Sequence, residues 1–251
     1  MKINLLAIAA CAISLFASAG TLEDADDDDQ PPLQPAPQSA ADVLYGTVSR
    51  LPVEPVTIGG TLILRKQRGI VVKEVPYSIE LRWGDTPARA KYTLTDTFGR
   101  VLKVLTVTRA DDGKITMSSA DANGATNAPP ALSDAIEGTD ITWLDLTLSY
   151  LWWKDGELAG EEEFRGALCD IVIVRPPDPI PGCSAMRLWV DRKRGFLRQA
   201  EQLNEKGERV RWMWVASIGK INDRWMIRNM EVKQPATGLM TKLHVETLET
   251  P

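Results

Sequence analysis

The chain has 251 residues, 44% of them apolar and 25% charged, with 29 Lys plus Arg against 34 Asp plus Glu and a single histidine. The acid excess is local, since without Lys2 and the six carboxylates of residues 23–29 the remainder carries 28 charges of each sign. A near-neutral body has no basic stripe to hold nucleic acid and no polybasic cluster to hold anionic headgroups; Arg192-Lys193-Arg194 reads as a solvated hairpin tip.

Met1 to Ala19 has one Lys, an apolar core from Ile3 to Phe16, and Ala17-Ser18-Ala19 before Gly20. This is the pattern of a secretory signal peptide, cleaved after Ala19 and directing the chain across a membrane. Ile8-Ala9-Ala10-Cys11 loosely resembles a lipobox, but cleavage there would strand apolar sequence on the mature side. No later run approaches the ~20 apolar residues of a membrane-spanning helix. Residues 20–41 form a linker, with the acids of residues 23–29 followed by Pro31, Pro32, Pro35 and Pro37. Such a stretch has nothing to bury and repels itself. The tract Asp26–Asp29 reads as spacing or a tether, for it lacks the fixed geometry of a calcium loop.

Residues 42–251 are expected to fold as one domain. Ser39–Arg50 predicts a helix, with Ser39 as N-cap, a stripe of Val43, Leu44, Val48 and Leu51, and Pro52 and Pro55 as its stop. Strands are predicted at Val56–Lys66, Val71–Arg82, Ala88–Thr95, Val101–Arg109 and Gly113–Ser118, with turns at Gly84-Asp85, Gly99 and Asp111-Asp112-Gly113. Pro76 is expected to bend the second of these or split it in two. Ala120–Pro130 reads as a polar loop and Leu132–Glu137 as a short turn. Gly138-Thr139-Asp140 makes a corner, and Ile141–Trp153 a second helix with Thr142 as N-cap. Trp143, Trp152 and Trp153 make this the most aromatic segment; the rings either fill a core or form the rim or lid of a pocket.

Gly156–Gly166 reads as a solvated edge strand or loop. Leu168–Val174 and Met186–Val190 read as strands joined by the Pro-rich loop Pro176–Gly182. Cys169 and Cys183 invite a disulfide in a secreted protein. A symmetric hairpin with Val174 opposite Ser184 would instead hold the sulfurs roughly 20 Å apart. A loop that folds back would reunite them, so the pairing stays open. From Met186 to Glu246 the sequence predicts a continuous antiparallel meander: Met186–Asp191, Phe196–Leu203, Arg209–Ile218, Trp225–Lys233 and Leu239–Leu248, with turns too short for parallel crossovers. Successive side chains alternate between faces. One face of the third strand carries Trp212, Trp214, Ala216 and Ile218, and the other Arg211, Met213 and Val215. Met226, Met230 and Val232 share a face of the next strand, with Arg228 among them. One face of this meander is apolar and must be covered.

Catalysis finds little support. His244 lies on the last strand beside Glu246, but no Gly-x-Ser-x-Gly elbow occurs. No recognised metal-ligand spacing is present, no Gly-rich phosphate loop leads from a strand into a helix, and no pair of acids stands out. The expectation is a non-catalytic binder with no metal and no cofactor.

The count is about 11 strands and two helices. With the secreted leader come Leu62-Ile63-Leu64-Arg65, Tyr92, the corner running Gly138-Thr139-Asp140-Ile141-Thr142-Trp143-Leu144-Asp145-Leu146, Cys169 in a strand, Leu188-Trp189-Val190-Asp191, and Gly238-Leu239-Met240-Thr241-Lys242-Leu243. In this order the chain resembles the outer-membrane lipoprotein-sorting (LolA/LolB-like) proteins, in their uncharacterised periplasmic branch, over roughly residues 39–247. The resemblance implies a mainly β fold, an unclosed antiparallel β-barrel with a helical lid over an apolar concave face. It implies carriage of lipoprotein or lipid acyl chains, with an inner-membrane transporter or outer-membrane acceptor as protein partner. A monomer is expected. Acyl chains cost about 0.8 kcal/mol per exposed CH₂ in water, so a carrier needs an apolar groove that opens. Trp143, Trp152, Trp212, Trp214, Met226 and Met230 are the candidate lining, because Met adapts to an irregular partner and Trp gives area with a polar handle. Ordinary core packing is the competing role for each. A lipid-sensing or accessory protein of an inner-membrane transporter or regulator is the alternative function, and a hydrolase the more remote one.

Overall fold

The computed structural model describes residues 36–110, 115–222 and 224–250. The leader, the Asp26–Asp29 tract and the turn Asp111-Asp112-Gly113 lie outside them. Helix α1 (Ala40–Val48) begins where Ser39, in extended backbone, accepts the Asp42 N–H on its hydroxyl at 3.2 Å. This supplies one donor that the first turn leaves unsatisfied. Ala40, Val43 and Leu44 are buried, so the core includes the start of α1, which overlaps the end of the stretch read as linker.

The strands follow as β1 (Val56–Arg65), β2 (Val71–Arg82), β3 (Ala88–Thr95), β4 (Val101–Arg109), β5 (Ile115–Asp121) and the two-residue β6 (Thr126–Asn127). After a crossing segment come β7 (Asp155–Phe164), β8 (Ala167–Arg175), β9 (Ala185–Asp191), β10 (Leu197–Leu203), β11 (Arg209–Ile221), β12 (Arg224–Gln234) and β13 (Leu239–Glu249). All pair antiparallel in one 13-stranded sheet, in the order β6-β5-β4-β3-β2-β1-β13-β12-β11-β10-β9-β8-β7. The two strands beyond the expected eleven are β6, a bridge inside the segment read as loop, and β7, an exposed edge strand. Pro76 neither bends nor splits β2. It pairs with Thr61 on one side, while β3 pairs only with Tyr77–Arg82 on the other, so that ladder stops one residue short of the missing donor.

Two meanders, β1–β6 and β7–β13, therefore meet at the β1–β13 pair, leaving β6 and β7 as free edges. The segment of residues 128–154 must travel from one free edge to the other. It does so across the concave face, carrying a short helix α2 (Trp143–Thr147) and a 3-10 turn (Ser149–Trp152). The second helix is thus not the continuous Ile141–Trp153 of the sequence pattern. Thr147 donates its hydroxyl to the Trp143 carbonyl at 2.7 Å, and Leu148 then takes a left-handed conformation (φ 50°, ψ 31°) that ends α2. A non-glycine residue there costs of order 1–3 kcal/mol. The strain is offset by burial of Trp143, Leu144, Leu146, Tyr150 and Leu151 around the break. Because almost every position from Ile141 to Trp153 is buried, a one-face helical pattern did not specify the length of the helix.

The core lies between the concave face and this segment. Leu62, Val75, Leu94, Leu105, Val172 and Leu188 from the sheet join Trp143, Leu144 and Tyr150 in one cluster, each at most 1% exposed. α1 packs on β7, β8 and the 3-10 turn. A second cluster of Val56, Ile221, Val245 and Leu248 closes one end of the half-barrel. A bulge at Gly59/Gly60 lets β1 and β13 curl. A Cβ on Gly60 would overlap the His244 carbonyl oxygen and come within 2.7 Å of the Tyr77 hydroxyl, which donates to that same carbonyl at 3.1 Å. Gly60→Ala should therefore lower stability by about 2 kcal/mol or more, a drop of about 4–8 °C in Tm for a domain of this size. Thermal unfolding followed by circular dichroism measures it, and an unchanged Tm would show that the β1–β13 junction tolerates a side chain.

Candidate ligand-binding face

β11 positions the key side chain. Burial alternates along it so that Arg211, Met213 and Val215 face the core, while Trp212 and Trp214 take the convex side. This reverses the lining expected from the sequence for these two tryptophans. Trp212 lies under the Arg209 guanidinium at 4.1 Å and near the Lys233 ammonium at 5.6 Å, and Trp214 lies under Arg165 at 5.8 Å. Cations on indole faces stabilise the rings outside the core.

Arg211 enters the core because the crossing segment supplies acceptors. Its Nη2 donates to Asp145 Oδ1 at 2.6 Å and to Thr142 Oγ1 at 3.1 Å, and its Nη1 to the Asp140 carbonyl at 2.9 Å. The other carboxylate oxygen of Asp145 accepts the Thr142 N–H at 2.8 Å and its hydroxyl at 3.0 Å, holding the start of α2. Asp140 is held in turn from β13 and the turn before it. Its N–H donates to Thr241 Oγ1 at 2.9 Å, and its carboxylate accepts from Thr237 at 2.8 Å and Thr241 at 3.2 Å. Arg211, Asp140, Asp145 and Thr241 are all at most 5% exposed. A charge pair this deep is tolerated only because its remaining donors and acceptors are met. The corner of residues 138–146 is thus an anchor that fixes the crossing segment to the sheet. Sequence reasoning missed Arg211; the signal available was an arginine alternating with Met213 and Val215 opposite a corner with two acids.

The other predicted lining residues lie on the core side. Trp143 is fully buried and meets Tyr92 edge-on at 6.3 Å. Met230 and Trp152 pack against the main cluster, and Met226 against the second one. Trp152 sits beside Trp83 at 5.2 Å on the rim formed by the β2 and β4 ends. The six residues therefore do not form one patch.

Cys169 and Cys183 are free and buried. With Val174 opposite Met186, Cys169 faces Asp191 at the far end of the hairpin from Cys183. The two also lie on opposite sides of the sheet, since Cys183 joins the main core and Cys169 a small convex cluster with Ile171 and Trp189. No disulfide joins them. Burial pushes the Cys169 thiol up to about 12, and Asp191 beside it adds to the rise; burial likewise lifts Cys183 to about 11. Both are therefore neutral packing groups rather than nucleophiles. His244 holds Asn229 through Nδ1 at 2.7 Å, and Glu246 accepts from Thr61 at 2.8 Å, so the single histidine is not paired with its neighbouring acid. Among the described residues, no three His, Cys, Asp or Glu side chains gather closely enough to hold a metal ion.

A one-sheet half-barrel whose concave face is crossed by a short helical segment is the LolA-like fold. Solved structures share it. A putative outer membrane lipoprotein-sorting protein domain from Vibrio parahaemolyticus superposes with a TM-score of 0.70 at 13% identity, covering 84% of this chain and 91% of that one. A DUF1329 family protein from Desulfovibrio piger gives 0.67 at 16% identity with the same coverage, and a LolA superfamily protein from Nitrosomonas europaea gives 0.58 at 12%, covering 86% and 94%. A family model described only as an uncharacterized protein matches residues 125–250, and the chain belongs to that family. No curated protein matches it.

The anchor makes a direct prediction. Arg211→Ala leaves Asp145 buried without its cation and should cost about 3–5 kcal/mol of unfolding free energy, while Arg211→Met with Asp145→Leu should recover part of it, the shortfall being the lost cap on Thr142. Urea denaturation of the three proteins decides the matter. An Arg211→Ala midpoint equal to wild type would remove the anchor role.

Proposed function

We propose that this protein is a periplasmic, non-catalytic binder of acyl chains, taking lipid or lipoprotein cargo onto the concave face of its half-barrel. The observation that carries the reading is the nature of the cover. A concave sheet face lined by Leu62, Val75, Leu94, Leu105, Val172 and Leu188 is closed by nine residues of helix and turn that break at a strained Leu148. The crossing segment is joined to the rest by chain at both ends and by the Arg211 anchor at its start, so residues 148–153 can swing while residues 138–146 stay. Apolar surface uncovered by that swing is stabilised by about 0.8 kcal/mol for each CH₂ an acyl chain places on it. Trp143, Trp152, Met226 and Met230 are the proposed contacts of such a chain, and the leader read at Met1–Ala19 supports a periplasmic location.

A second reading, an accessory protein whose ligand is another envelope protein, is favoured by the fullness of the interior. Trp143 and Tyr150, with the aliphatic side chains around them, occupy the space a chain would take. The two readings separate in native mass spectrometry of protein purified from an envelope fraction. Stoichiometric acyl-lipid or lipopeptide adducts, released on denaturation, are expected. A clean apo mass that persists after incubation with phospholipid and lipopeptide would overturn the carrier and leave the accessory reading.

A further inference from the structure

At the rim of the half-barrel, Arg109 closes the concave row Leu105–Val107–Arg109 of β4, opposite Ala88 on β3 and Ile115 on β5. Two indoles share its guanidinium: Arg109 Cζ lies 5.4 Å from the Trp152 ring centre and 5.9 Å from that of Trp83, and the rings are 5.2 Å apart. Two of the cluster's donors have no acceptor. Arg109 Nε and Trp152 Nε1 are both shut off from solvent and hydrogen-bonded to nothing among the described residues. Buried donors of this kind each cost free energy, more so when charged, and native proteins rarely leave two together without a use. The guanidinium also forms no ion pair with any described carboxylate, whereas three other arginines whose side chains are held largely away from solvent each have one. Arg192 meets Asp170 and Glu161, Arg198 meets Asp191, and Arg211 meets Asp145.

We infer that this cluster is the headgroup subsite for an anionic amphiphile, a binding site for one phosphate or carboxylate group carried on an acyl chain. The inference rests on the acyl-binding reading above and adds to it which end of the ligand sits where. A tetrahedral phosphate or planar carboxylate presents several oxygens, so one group satisfies both the Arg109 Nε–H and the Trp152 Nε1–H. Arginine suits such oxyanions through its planar fork. Charge neutralisation happens against two aromatic faces rather than in open water, which strengthens it. The apolar floor is contiguous, since Ile115, Met117, Leu148 and Trp152 pack against the main core from the same side. A chain attached to the bound headgroup therefore runs directly onto the concave face. Trp152 is half-buried and follows the strained Leu148, so on this inference its ring is the part that turns to admit the headgroup.

The test is a set of titrations of the mature full-length protein, followed by tryptophan fluorescence and calorimetry below the micelle concentration. The probes are dodecyl phosphate, 1-dodecanol and inorganic phosphate, each applied to wild type, Arg109→Gln and Trp152→Phe. Wild type should prefer dodecyl phosphate over dodecanol by about ten- to hundredfold, the range a charge-assisted hydrogen bond contributes. Inorganic phosphate alone should bind far more weakly than either. In Arg109→Gln the preference should fall to near unity, and Trp152→Phe, which keeps the ring but loses the donor, should reduce it severalfold. Circular dichroism melts of both variants confirm that they remain folded, and Trp152→Phe carries the test if Arg109→Gln does not. Equal wild-type affinity for the phosphate and the alcohol would overturn the headgroup subsite while leaving acyl binding in place. Binding of neither amphiphile would overturn both. Inorganic phosphate binding as tightly as dodecyl phosphate would make this a free-anion site and also overturn the inference.

Discussion

The burial of Arg211 against the corner of residues 138–146 is the interaction on which the rest of the architecture depends. A sheet that does not close must cover its concave face with something, and the only covalent bridge between its two free edges is the segment from β6 to β7. That segment is short in regular structure, with α2 of five residues and a turn of four. An isolated helix of that size has no stability of its own in water. Its position comes instead from being tied down where Asp140 and Asp145 converge on one guanidinium and where Thr241 of β13 and Thr237 of the turn before it hold Asp140. Downstream of the tie, the strained Leu148 and the rim tryptophan are held chiefly by packing against the core, with the Arg109 guanidinium on the Trp152 ring. Packing of that kind can be exchanged for packing against an acyl chain at little net change in buried area. Under the proposed acyl-chain binding, the same segment serves as core and as lid.

The convex side shows the complementary solution. Charged and aromatic side chains from β7 to β12 cover each other there instead of presenting an apolar surface. Glu162 accepts from the Trp189 indole at 3.0 Å, Glu201 holds Arg209 at 2.7 Å, and Arg198 is paired with the fully buried Asp191. This lattice makes the convex side of the sheet polar outward. It also accounts for why the two free thiols are inert, one in each layer, with no partner across the sheet.

Most of the strand boundaries were legible in the sequence, because hairpin turns rich in Gly, Asn and Asp punctuate alternating runs. β2, β3 and β4 begin and end where the pattern places them. The class of the fold followed from the same pattern, and the corner motif was recognisable as distinctive without its role being visible. Which face of β11 is inside was not legible. Hydrophobicity alone sends Trp212 and Trp214 inward and Arg211 outward, and the true arrangement is the reverse because acceptors 66 and more residues away stabilise the arginine. The same lack of long-range information hid the break at Leu148 and the rim cluster, where Trp83, Arg109 and Trp152 come from three separate stretches. What the sequence carries locally is periodicity; what the site needs is partners across the barrel.

The account's central claim is that ligand enters by displacing the crossing segment downstream of its anchor. Hydrogen–deuterium exchange of the mature protein, with and without a bound phospholipid, tests this most directly. The account predicts a change in protection confined to residues 148–153 and the strand ends they cover, with residues 138–146 and the convex strands β9–β11 unaltered. Lipid bound with unchanged exchange over residues 148–153, or with release of the Arg211-anchored corner instead, would contradict it.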